Sequence, residues 1–474
     1  MLTMTLIILT NFNETISIIQ KGLCERNFTQ KRKTPHNSGK KCRFVRTMSS
    51  ILKYKHMKLS FILASLTLLV VSTLNAQVYQ NGTRLETLKT LTVYPDGDWT
   101  SLPVLKLGSE NKVEVSFDEL SHDYKRYAYR IIHCNADWKR SEMNVLEYME
   151  GFPENDVESG EQSVSTLTLY THYSLTVPND NCKLLISGNY VVEVFDKDGN
   201  GDALLTACFM VTENKALIDA NLTATTDIDF KQEHQQLTFT LRPIGLSINQ
   251  PLNELKVMVQ QNHRRDTEVR NISPMTMDGN VYQYEHNKDL IFKGGNEYRR
   301  FEITTYKYPG LNVNRVEYFK PFYNVELLPS LKRNTSYIYD KDQNGRFLIH
   351  SQEAMEDKTG SDYFLVHFTL PMESPVLDGG FYINGDFVNN RQDATSKLIY
   401  NFETKAYEKN LLLKQGAYNF QYVFRPTKEG RPSTELLEGS YWQTENEYQI
   451  LVYYHPTGER YDRLIGFRQV QTAF

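Results

Sequence analysis

The chain has 474 residues, 40% of them hydrophobic, which suits about three domains with ordinary cores. Its formal charge of −4 hides an asymmetry: residues 1–76 hold 12 Lys and Arg against 2 Asp and Glu, a net of +10, leaving about −14 for residues 77–474. So acidic a body argues against a nucleic-acid partner and against docking on an anionic membrane, because binding to phosphate rests on Lys and Arg.

Residues 1–56 are basic and carry no sustained apolar period. At 57–76 the pattern changes to a signal peptide: Lys58 gives a charged start, 61–71 (FILASLTLLVV) a short apolar run, and 72–76 a small-residue exit before Gln77. The apolar run is shorter than the ~20 residues of a membrane-spanning helix. The expectation is export, with translation starting at Met57 or Met48 and 1–56 a mis-assigned extension. Three cysteines follow, Cys134, Cys182 and Cys208. An exported chain could oxidise two of them; three free, buried thiols is the preferred reading.

Beyond Gln77 the chain reads as strands, with 30 Tyr, 24 Phe and frequent β-branched residues. Period-2 alternation marks 112–117 and 127–132. Residues 190–195 enter a turn at 196–201 and 204–211 leave it, a hairpin in which Gly and Asn supply positive φ. These strands predict a first sandwich over 77–212. A middle sandwich is expected over 213–328, with strands at 236–241, 255–260 and 300–305. A third is expected over 329–474, with strands at 364–368, 381–383, 418–424 and 447–454. The fold class is all-β, about three tandem Ig-like or early-set β-sandwiches.

Candidate chemistry is sparse. Asp196, Asp198 and Asn200, and again Asp340, Asp342 and Asn344, match the first half of a calcium loop. The acid required at its twelfth position is absent, Ala207 and Ser351 standing there, so plain turns are the preferred reading. His133, Cys134 and His172 are soft ligands, but neighbours on a strand face opposite ways, poor geometry for zinc. No nucleophile elbow, HExxH, P-loop or dinucleotide fingerprint is present. A carboxylate dyad leaves no local mark, yet nothing asks for an enzyme, a metal or a cofactor. The aromatic excess suits cores, protein interfaces or sugar stacking alike.

The string Tyr127-Ala-Tyr-Arg-Ile-Ile-His-Cys-Asn-Ala-Asp-Trp138, with Glu147-Tyr-Met-Glu-Gly151, Leu169-Tyr-Thr-His-Tyr173 and Ser187-Gly-Asn-Tyr190, resembles the plug-protein family of the Bacteroidota type IX secretion system, formerly a domain of unknown function. The likeness resumes at Leu413-Lys-Gln-Gly-Ala-Tyr-Asn-Phe-Gln-Tyr422, Thr444-Glu-Asn-Glu-Tyr448 and Arg460-Tyr-Asp-Arg-Leu-Ile-Gly466, and leaves 1–56 without a counterpart. It implies a periplasmic protein that closes the periplasmic opening of an outer-membrane β-barrel translocon, its partner; a monomer is expected. His133, Cys134, Asp137, Trp138, Tyr170, Tyr173, Gly188, Tyr190, Tyr448 and Asp462 carry the likeness, with a structural role expected. Segments 381–387 and 416–420 resemble early-set modules, including glycogen-binding ones, by fold analogy alone. The competing expectation is a periplasmic or surface carbohydrate-binding protein, with exposed aromatics on the third sandwich.

Overall fold

The computed structural model describes residues 77–121 and 125–472, all in one compact unit spanning 76–474. The expected signal peptide and the extension before it lie outside the described residues. The unit is all-β, built from three sandwiches.

In the first sandwich, strand Gly188–Asp196 pairs on one side with Tyr127–Cys134 and on the other with Ala203–Thr212. The expected hairpin is present: a bulge at Val194/Phe195 leads into a turn closed by Gly201 at φ 78°. The facing sheet runs Leu88–Pro95, Val113–Glu119, Thr171–Val177 and Ser159–Gln162. Val115, Phe117, Tyr127, Tyr173, Tyr190 and Val192 fill the space between the sheets. The strand expected at 112–117 is present as Val113–Glu119, and every residue of it is buried, on its polar face as on its apolar one. The outward Glu114, Ser116 and Asp118 lie beneath another part of the chain, where Lys358 and Lys414 meet two of them. A polar face buried this way must find partners.

The other two cores are interleaved in sequence. Leu237, Phe239, Val257, Val259, Tyr284, Ile450 and Val452 share one core. Strand Leu255–Gln261 pairs with Glu447–Tyr454, which pairs in turn with Arg463–Gln471. Phe301, Val325, Val366, Phe381, Tyr418 and Phe420 share another. There Arg299–Glu302 pairs with Gly416–Pro426. Strands expected at 447–454 in the third sandwich thus complete the middle one, and those expected at 300–305 in the middle join the third. We propose that the middle domain is discontinuous, 213–296 with 444–472, and encloses the third at 297–443.

Among the described residues no helix is long and apolar enough to cross a membrane.

Candidate functional site

The signature string folds into a corner where the first sandwich meets the middle one. Strand Tyr127–Cys134 ends in a tight turn: Trp138 N donates to Asn135 O at 2.9 Å, Lys139 N donates to the Asp137 carboxylate at 3.2 Å, and Trp138 sits at φ 61°. His133 is 1% exposed. Its Nε2 donates to the Ser187 carbonyl at 3.1 Å, which fixes the tautomer, so Nδ1 accepts from the Ser141 hydroxyl at 2.8 Å. Rings of Tyr148, Tyr190 and Tyr461 surround it at 5.0–5.7 Å. Burial pushes its pKa down to about 4, so the imidazole is neutral near pH 7. Gly188 has φ 142°, and a Cβ there would lie 2.4 Å from His133 Nε2. Only glycine lets the two backbones close on the ring.

Asp462 ties the corner to the middle sandwich. Its carboxylate accepts from Ala136 N at 3.0 Å and from Lys256 Nζ at 2.7 Å, while its own N donates to Asn135 Oδ1. Asn189 donates to Asn135 O and accepts from the Tyr453 hydroxyl at 2.7 Å. The Arg265 guanidinium lies 4.4 Å over Trp138 and donates to the Tyr79 carbonyl. Glu213 is held by both arms of Arg463 at 2.8 Å. Burial raises its pKa, but Arg463, Lys215 and Ser187 outweigh this and bring it down to about 2.

A second joint binds the first sandwich to the third. Asp118 and Lys414 are both almost fully buried, and Lys414 Nζ donates to Asp118 at 2.7 Å and to Lys358 O at 2.6 Å. Asp118 also accepts from the Tyr363 hydroxyl and from His172 Nδ1, each at 2.7 Å. Burial alone would raise its pKa; Lys414 and His172 hold it below the usual range. The ammonium sits 4.2 Å over the ring of Tyr170, whose hydroxyl donates to Ser361 O. Between the middle and third sandwiches, Arg346 and Glu447 form a buried bidentate pair at 3.0 and 2.8 Å. The neighbouring Tyr448 hydroxyl donates to Gln235.

The expected residues therefore divide. His133, Trp138, Gly188, Tyr190 and Asp462 meet at the first joint, and Tyr170 at the second. Tyr173 packs inside the first core against Phe117 and Tyr127. Cys134 joins Trp138 and Cys208 in a small apolar cluster, and all three cysteines are free and buried. The calcium-like turns turn their carboxylates to protein donors. Asp196 accepts from Asp198 N, Asp198 pairs with Arg126, and Asn200 donates to Asp202. Asp340 pairs with Arg300, and Asp342 accepts from Tyr298 N and Asn344 N. Among the described residues no cluster of three His, Cys, Asp or Glu could hold a metal. Sequence reasoning missed Asp118 and Tyr363; the one local hint was a pair of adjacent carboxylates, Asp118 and Glu119, closing an alternating strand.

A family model described as type 9 secretion system plug protein 1st domain matches residues 88–213, close to the limits of the first core. A crystal structure of a hypothetical protein from Parabacteroides merdae ATCC 43184 is 43% identical, with a TM-score of 0.82. The alignment covers 84% of this chain and 100% of that one. A search of curated proteins gives no match. With its first sandwich matching that family's first domain, the chain belongs to the type IX secretion system plug protein family.

Proposed function

We propose that this chain is a periplasmic subunit that closes the periplasmic opening of the outer-membrane type IX translocon barrel, acting by binding rather than catalysis. The observation that supports it is the set of buried polar joints, Asp118–Lys414 above all, that bind each sandwich to the others. A stopper must resist deformation across a wide opening, and side chains locked in buried networks supply that stiffness. The test is affinity purification of the tagged chain from cells with an active type IX system. Recovery of the barrel protein is expected; its absence under mild detergent, with and without the barrel's other partners, contradicts the reading.

One observation favours a second reading, carbohydrate binding. Tyr306, Tyr308, Tyr318 and Phe319 are exposed on the third sandwich, with Tyr306 stacked on Tyr323 at 5.1 Å. A glycan array decides it, and an array without hits removes it.

A further inference from the structure

Where the three sandwiches meet they line a part-open cavity of about 180 Å³. The first sandwich contributes Tyr94 and Trp99, the middle one His263 and Arg265, and the third Asp386 and Asn389. The backbone around it is unusual. Asn262, His263, Asn389 and Asn390 all hold φ between 46° and 55°. Non-glycine residues in that region carry a conformational cost, least for Asn, and such residues cluster at ligand sites. One buried polar atom there is open: His263 Nε2 donates to Asp386 at 3.0 Å, while its Nδ1 is buried with no partner. An unsatisfied buried polar atom is costly unless something hydrogen-bonds to it.

The charges at the wall decide what fits. Arg346, also on the wall, is neutralised by Glu447. Arg265 has no carboxylate partner among the ion pairs of the described residues, and it balances the anionic Asp386. The site as a whole is close to neutral, which disfavours a lone anion or cation. Aromatic rings stand beside hydrogen-bonding groups of both kinds. A pyranose ring presents the same combination, an apolar C–H face and a rim of hydroxyls. A cavity this size, below the ~300 Å³ of drug-sized sites, takes one such ring.

The geometry points to this junction as a binding site for a single pyranose residue, free or at the end of a glycan, with Trp99 as platform and His263 Nδ1 hydrogen-bonded to a hydroxyl. The inference shares its ligand class with the carbohydrate reading but rests on a different surface, and it stands whether or not the chain closes a barrel.

Isothermal titration of the full exported chain tests it, with one arm of glucose, galactose, mannose and N-acetylglucosamine and another of their β-linked disaccharides. Saturable binding in the first arm identifies a free sugar, and binding in the second alone identifies a glycan end. Trp99→Ala weakens binding by about tenfold or more. Asn389→Gly, which keeps the positive φ, weakens it several-fold with the melting temperature held. Tyr318→Ala leaves it unchanged. No binding in either arm overturns the inference. So does binding that survives Trp99→Ala but is lost in Tyr318→Ala, or binding of succinate in place of any sugar.

Discussion

The two joints of the first sandwich solve one problem in different ways. The His133 corner, against the middle sandwich, is built around a neutral group, with the Asp462–Lys256 and Glu213–Arg463 pairs beside it. A histidine without charge is ringed by tyrosines, and one glycine permits the close approach. The Asp118 joint, against the third sandwich, buries an ion pair whose every oxygen is spoken for. The neutral corner depends on shape, so it should fail by crowding or by acid. The charged joint depends on pairing, so it should fail when one partner is removed. Rigidity across three sandwiches thus comes from two chemistries with separate weaknesses.

Breaking the charged joint gives the largest expected effect. Lys414→Met leaves the buried Asp118 carboxylate without its ammonium partner and should cost about 3–5 kcal/mol in denaturant unfolding. Adding Asp118→Leu should recover most of that loss, because two well-packed apolar groups need no pairing. A double variant as unstable as the single would show that the pair itself, not its imbalance, holds the joint.

Acid should strike the neutral corner. The His133 pKa is lowered from 6.5 to about 4 by burial. A base depressed on folding contributes stability that is present above pH 6.5 and is lost as pH falls toward 4. The loss approaches about 3 kcal/mol. Unfolding midpoints across pH 4–8 check this against His133→Gln, which should flatten the slope in that window.

Crowding the same corner ranks next. Gly188→Ala places a methyl against the imidazole at a strained φ and should cost about 2 kcal/mol. Adding Ser141→Ala should not restore it, since the clash is with Nε2 and not with the Nδ1 side.

The smallest effect sharpens the contrast between buried and exposed charge. Asp198→Ala removes an ion pair in which both side chains are about 60% exposed. The melting temperature should not move measurably, with or without added calcium. A calcium-dependent rise in the wild-type chain that Asp198→Ala abolishes would return the 196–201 turn to the list of metal sites.

The contrast also shows where sequence reasoning stops. Alternation at 112–117 located a strand correctly, because side-chain period 2 is a local property. It did not show what that strand's polar face meets, since Asp118 pairs with Lys414, 296 residues away. The hairpin at 188–212 was legible through its turn residues, while the pairing of Leu255–Gln261 with Glu447–Tyr454 left no local mark. The string at 127–138 stood out as unusual, but its purpose needed Asp462, 326 residues beyond Ala136. Nothing in the sequence brought Trp99, His263 and Asn389 to one cavity.

The central claim, that three locked sandwiches close a translocon, is tested most directly by ion conductance through the purified outer-membrane barrel in a planar bilayer. Adding this chain to the periplasmic side should abolish the open-pore current, and Lys414→Met should close it less completely. Current that persists undiminished with saturating wild-type chain would contradict the account.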